Sequence, residues 1–100
     1  MGNKIVFAPL ASKELNEAYD WYEERSLGLG DNFLDVLDKT FELISANPLV
    51  SQSSKRKYRD KVIDGFPYIV VYEFKKSEDA IYIIHIFHTS RNPKLKYRQK

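Results

Sequence analysis

The segment Ile81–Pro93 reads IYIIHIFHTSRNP and decides the fold. Alternation along an extended chain divides its apolar side chains between two sides: Ile81, Ile83 and Phe87 on one, and Tyr82, Ile84 and Ile86 on the other. A strand without a polar face needs cover on both faces or neighbours at both edges. We therefore predict a strand in the middle of a sheet, which carries His88 and Arg91 to the sheet edge.

The composition fits one compact domain over residues 1–100, with a basic C-terminal tail from about residue 92. The chain has 43% apolar and 14% aromatic residues, enough for a single core. It contains no cysteine, so we predict no disulfide and no thiolate metal site. His85 and His88 are three residues apart on a strand and are not a chelating pair, so we propose no other metal site, and we propose no cofactor. We find neither an apolar run long enough to span a membrane nor a secretory signal pattern, and we expect a cytoplasmic protein.

Charge is unevenly distributed along the chain. Residues 14–42 hold nine acids and only two bases. Residues 51–61 hold five bases and one acid, and residues 89–100 hold five bases and no acid. The segment of residues 14–42 is therefore acidic, and the two later segments are basic.

Apolar periodicity predicts a short strand at Lys4–Ala8 and then two helices, at about residues 10–25 and 29–46. Each helix has an inner stripe, with its acids on the outside: Ala11, Leu15, Ala18, Tyr19 and Tyr22 in the first, and Phe33, Leu37, Thr40, Phe41 and Ile44 in the second. Gly28 and Gly30 separate the helices, and Asn47-Pro48 ends the second. So short a connection predicts an antiparallel helical hairpin.

The second half of the chain predicts three strands. After a loop at residues 49–54, residues 55–63 alternate, with a basic outer face formed by Lys55, Lys57, Arg59 and Lys61. Asp64-Gly65 is typical of a hairpin turn, and Pro67–Phe74 is the next strand. The order is β-α-α-β-β-β, an α+β fold with an antiparallel sheet and the helical hairpin packed on one face.

Four groups of residues, in chain order, carry a family resemblance. They are Trp21-Tyr22-Glu23-Glu24 with Gly28-Leu29-Gly30 and Phe33-Leu34; Ile44 with Asn47-Pro48; Arg59 with Phe66-Pro67-Tyr68 and Tyr72; and His88, Arg91 and Pro93. Together they resemble the RelE/ParE superfamily of type II toxin–antitoxin toxins, and more closely its ParE-like (plasmid stabilisation) members. The resemblance covers nearly the whole chain.

The resemblance implies a two-layer fold and a small bacterial toxin neutralised by a cognate antitoxin, with which it forms a hetero-oligomer. ParE-type members poison DNA gyrase, whereas RelE-type members are mRNA interferases that cleave mRNA on the ribosome. Many members carry a second basic residue just before the arginine, where this chain has Ser90. That departure favours the ParE-like reading, a gyrase inhibitor without catalysis of its own. The alternatives are a ribosome-dependent mRNA endonuclease and an inactive toxin-fold binding partner.

In the endonuclease alternative, Arg59, His88 and Arg91 surround the scissile phosphate. The His88 imidazole is suited to general acid or base catalysis, and the two guanidinium groups are suited to holding phosphoryl charge. Each has a simpler interpretation. His88 shapes the turn at a strand end through hydrogen bonds, and the arginines pair with the protein's own carboxylates.

Further basic residues are candidates for contact with the target or with nucleic acid: Lys55, Lys57, Lys61, Lys94, Lys96, Tyr97 and Arg98. A lysine-rich edge strand is also a common protection against aggregation. The tail is suited to nucleic acid, an enzyme target or an acidic antitoxin segment. The aromatic residues Trp21, Tyr19 and Tyr22 we assign to the core.

Overall fold

The computed structural model describes residues 3–50, 52–53 and 57–90. They form the elements β1 (Lys4–Phe7), α1 (Pro9–Arg25), α2 (Leu29–Ala46), β2 (Gln52–Ser53), β3 (Tyr58–Val62), β4 (Tyr68–Lys75) and β5 (Ala80–His88). A single 3₁₀ turn, Lys76–Glu78, lies between β4 and β5. The predicted α+β order of strand, helical hairpin and later strands is confirmed.

The strands form one sheet in the order β1-β5-β4-β3-β2, which places β5 between two neighbours as predicted. The sheet is mixed, because β1 pairs with β5 in parallel while the other pairs are antiparallel. The predicted loop at residues 49–54 contains the two-residue strand β2, which pairs with Asp60 and Arg59. β2 pairs along the outer edge of β3, where backbone N–H and C=O groups would otherwise have no partner strand.

A bulge in β5 changes which side chains share a face. Val71 is opposite His85 while the next residue, Tyr72, is opposite Ile83, so Ile84 is the extra residue. The predicted alternation therefore holds as far as Ile84 and is wrong for Ile86 and Phe87. The observed sets are Ile81, Ile83 and Ile86 in the cluster under the helices, and Ile84 and Phe87 with Tyr82 in the cluster on the other face.

The main core lies between the sheet and the two helices. The predicted inner stripe of α2 faces the core: Phe33, Leu37, Thr40 and Ile44 are buried, and Phe41 is partly buried against the same cluster. Phe33 packs against Phe66 and Tyr68 at centroid distances of 5.1 and 5.3 Å, and Tyr22 lies 5.3 Å from Phe33. These contacts join the helical hairpin to the β3–β4 turn, so two of the four motif groups meet in the core.

The turn between the helices is held by Glu23. Its Oε1 accepts the backbone N–H groups of Gly28 and Gly30, each at 3.0 Å, and so satisfies donors at the start of α2. Gly28 has φ of 90°, in the left-handed region that favours glycine. At Gly30 an added Cβ would lie 2.7 Å from Glu23 Cγ and 2.9 Å from the Tyr19 ring. These motif residues thus build the hairpin.

Candidate functional site

A groove with a volume of about 370 Å³ lies between α1 and the end of β5. We call it the α1–β5 groove. It is lined by Glu14, Glu17, Ala18, Trp21, Tyr22, Tyr68, Ile86, His88 and Ser90. It therefore combines aromatic and aliphatic surface with two acids, a histidine and a serine.

The spacing of the groove residues follows from the two elements that form its walls. On α1, positions 14, 17, 18 and 21 are three or four residues apart and so share one side of the helix. On β5, Ile86 and His88 alternate with Phe87 and share the helix-facing side. Tyr68 is the register partner of His88 on β4 and extends the floor.

Glu14 is buried, with 8% of its surface exposed, which corrects the prediction that the acids of α1 lie outside. Its Oε1 accepts the backbone N–H of Ile86 at 2.9 Å. The Nδ1 of buried His85 lies 3.2 and 3.3 Å from the two carboxylate oxygens and donates to them. Burial of a carboxylate is tolerated only when such donors replace water. The sequence contains a signal for this burial, since Glu14 lies on the same side of α1 as the buried residues Ala11 and Ala18.

His88 lies at the end of β5 and is hydrogen-bonded within its own turn. Its Nδ1 accepts the backbone N–H of Ser90 at 3.0 Å, and the Ser90 hydroxyl lies 2.7 Å from the same nitrogen. Nε2 therefore carries the hydrogen of the neutral ring. The ring meets Tyr68 edge-on at a centroid distance of 4.9 Å. This is the geometry expected of a histidine that shapes the turn at a strand end.

The two tyrosines of the groove stay protonated near neutral pH. Burial raises the pKa of the Tyr22 phenol. Burial also raises the pKa of Tyr68, and the nearby Tyr22 and Glu14 add to this effect. The groove therefore offers phenol hydroxyls and apolar ring surface, and no phenolate.

Trp21 is 48% exposed, so its assignment to the core was wrong. Trp21 is next to Tyr22, the last residue of the buried stripe of α1. Tyr22 is buried, as predicted. The Arg25 guanidinium lies 3.7 Å from the centre of the Trp21 ring, a cation–π contact. Trp21 therefore presents surface at the rim of the groove.

The predicted basic face of β3 is not a single row. Arg59 and Lys61 are the register partners of Tyr72 and Val70, whose side chains belong to the core under the helices. Lys57 precedes the strand, so strand alternation does not apply to it. The Nζ of Lys57 lies 3.6 Å from Glu73 Oε1. Lys57 and Glu73 line a second pocket with Ile84, which belongs to the cluster on the sheet face away from the helices.

The structure does not bring Arg59 close to His88. Their register partners on β4, Tyr72 and Tyr68, are four residues or about 13 Å apart along the strand. Arg59 and His88 also lie on opposite neighbours of β4. The other predicted site residues fall outside the described part of the chain: Lys55, Arg91, Lys94, Lys96, Tyr97 and Arg98.

A comparison with protein-family models shows the family, and a comparison with solved structures shows the fold. A family model described as the ParE toxin of the type II toxin–antitoxin system parDE matches residues 5–93. No curated protein matches the sequence significantly. Within residues 3–50 and 57–90, no helix is long and apolar enough to cross a membrane.

Two solved structures resemble this one closely in shape. A chain of the chromosomal ParDE toxin–antitoxin system from P. aeruginosa has a TM-score of 0.74 at 15% identity, covering 88% of this chain and 97% of that chain. The isolated E. coli RelE toxin has a TM-score of 0.67 at 14% identity, covering 94% and 92%. At such low identity these likenesses establish the fold alone.

Proposed function

Because the chain belongs to the ParE toxin family of type II toxin–antitoxin systems, we propose that it inhibits DNA gyrase by protein–protein contact and is neutralised by a cognate antitoxin. The observation that carries the proposal is the family match, which runs from β1 to beyond His88 and so includes every element of the fold. The toxin acts in the cytoplasm, as a contact inhibitor without catalysis of its own.

The arrangement of the described residues supports contact inhibition over catalysis. Nδ1 of His88 accepts a hydrogen bond from Ser90 N–H. Arg59 lies on β3, which is separated from the strand of His88 by β4. General acid–base catalysis on a phosphodiester needs such groups to converge on one phosphate. The second candidate function is that of a RelE-like mRNA endonuclease. The third is that of an inactive binding partner of the antitoxin.

Pulse labelling separates the three functions. We expect thymidine incorporation to fall within minutes of inducing the toxin without antitoxin, while amino-acid incorporation continues. Early loss of amino-acid incorporation would instead indicate the mRNA endonuclease. Loss of neither, with folded protein in the cell, would indicate the inactive partner.

A variant at His88 sharpens this experiment. His88→Gln keeps a hydrogen-bonding side chain but loses proton transfer near neutral pH. The gyrase proposal predicts that this variant remains toxic at comparable expression. A mutant that is folded, binds antitoxin and has lost toxicity would argue for catalysis by His88.

A further inference from the structure

Four ring-bearing side chains follow one another along the α1–β5 groove. The ring centroids of Trp21 and Tyr22 lie 5.1 Å apart, and those of Tyr22 and Tyr68 lie 6.3 Å apart. The Tyr68 ring in turn lies 4.9 Å from His88. All three pairs meet edge to face, and the ring that contributes its edge keeps both faces free of its partner. The groove walls therefore offer ring faces, where the aromatic quadrupole is negative.

A cation already lies against one ring of this series. The Arg25 guanidinium is 3.7 Å from the centre of the Trp21 ring. Arg25 does not line the groove, so its charge lies outside the groove. Within the described part of the chain, no cation lies over the ring of Tyr22 or Tyr68. These two rings remain open to a cation that enters the groove.

The charged groups that line the groove are acidic. They are the carboxylates of Glu14 and Glu17, with no lysine or arginine among the lining residues. Burial and the nearby Tyr22 raise the pKa of Tyr68, and the Glu14 carboxylate raises it further, so the potential at this phenol is negative. Glu14 accepts hydrogen bonds from β5, whereas exposed Glu17 has no ion pair or side-chain hydrogen bond with any described residue.

These groups select a ligand by its charge. An anion would approach two carboxylates with no lysine or arginine to offset the repulsion. A neutral apolar ligand would remove water from Glu17 without giving that carboxylate a partner. A cation avoids both costs, and a primary ammonium group also brings three N–H donors. The acceptors for these donors are the Glu17 carboxylate, the phenol oxygens and the Ser90 hydroxyl, all of which line the groove.

The size and the remaining surface of the groove indicate the body of the ligand. The volume of about 370 Å³ is near the lower end of the range for small-molecule sites. Ala18 and Ile86 add aliphatic surface to the ring surface. A short alkyl chain that carries one ammonium group therefore matches both the shape and the chemistry of the groove.

We propose that the α1–β5 groove is a binding site for a small primary alkylammonium ion. The ammonium group lies between the Glu17 carboxylate and the rings of Tyr22 and Tyr68. The alkyl chain packs against Ala18 and Ile86. The site is additional to the proposed function, because neither gyrase nor the antitoxin takes part in it.

Titration of the purified toxin with n-hexylammonium chloride tests the site. Trp21 is the only tryptophan of the chain and lines the groove, so its fluorescence reports binding directly. We expect saturable binding with a Kd of about 1 mM or tighter. Neutral n-hexanol has the same alkyl chain without the charge and should bind at least about tenfold more weakly. Sodium chloride at equal concentration controls for ionic strength.

Two exposed acids of α1 provide a matched pair of variants. Glu17→Gln keeps the size of the side chain and removes its charge, so it should weaken n-hexylammonium binding by about tenfold and leave n-hexanol binding unchanged. Asp20→Asn removes a charge from the same helix at a residue outside the groove, and should change Kd by less than about twofold. Because both residues are exposed, both variants should remain folded.

Each result supports or contradicts the site. Saturable binding that prefers the ammonium ion and depends on Glu17 alone would establish it. Equal affinity for n-hexylammonium and n-hexanol would show an apolar groove without cation recognition, and would overturn the proposal. Equal effects of Glu17→Gln and Asp20→Asn, or a fluorescence change that sodium chloride reproduces, would show unspecific attraction to an acidic helix and would also overturn it. Either failure leaves the proposed function standing.

Discussion

Replacing Glu14 with alanine is expected to lower the free energy of unfolding by about 3 kcal/mol. The substitution removes the acceptor of Ile86 N–H and of His85 Nδ1 at once, and both donors are left in a buried site. Unsatisfied buried donors cost about 1–3 kcal/mol each. Since a domain of this size is stable by only about 5–15 kcal/mol, urea denaturation will detect the change readily.

Glu17→Ala is the matched control for Glu14→Ala. Glu17 lies on the same side of α1 and lines the same groove, but it is exposed. Its removal should change the free energy of unfolding by no more than about 0.5 kcal/mol. If the two alanine variants were equally stable, the buried carboxylate would not support β5.

Gly30→Ala is expected to destabilise the protein by about 1–3 kcal/mol, through overpacking. The new Cβ meets Glu23 Cγ at 2.7 Å and the Tyr19 ring at 2.9 Å, so the residue that caps α2 must move. Helix propensity alone predicts the opposite sign, a gain of up to about 1 kcal/mol for this change inside a helix. The sign of the effect in urea denaturation therefore distinguishes the two explanations.

Asn32→Ala serves as the control for Gly30→Ala. Asn32 lies in the same turn of α2 but is exposed, so its effect should stay within about 0.5 kcal/mol. A stabilised Gly30→Ala variant would mean that the helices separate slightly at no cost, and that close packing is not the reason for glycine at this position.

Local signals explain why the helical hairpin was predictable. The start of α2 follows from Gly28 and its end from Asn47-Pro48, which act through their own backbone preferences. The central position of β5 follows from its lack of a polar face. These properties belong to short stretches of chain and need no knowledge of the tertiary structure.

Tertiary contacts explain what the sequence did not predict. Alternation in β5 fails after Ile84, because pairing with β4 makes that residue a bulge. Glu14 is buried because β5 extends past β1 and needs an acceptor at Ile86, a fact that no helical pattern contains. The position of the Lys57 ammonium likewise depends on Glu73, a residue of the next strand.

The family motifs have a further consequence for function. Glu23, Gly28 and Gly30 hold the hairpin turn, and Phe33 packs on Phe66 and Tyr68 in the core. Such residues specify the fold, which the ParDE and RelE structures share. The motifs therefore predict the family well and the target poorly, which is why the target needs a direct measurement.

That measurement is a supercoiling assay with purified DNA gyrase and the purified toxin, with and without the antitoxin. The proposed function predicts that the toxin inhibits supercoiling, that His88→Gln inhibits equally well, and that prior binding of the antitoxin abolishes inhibition. Full gyrase activity in the presence of folded toxin, with the same preparation cleaving mRNA on ribosomes, would contradict it.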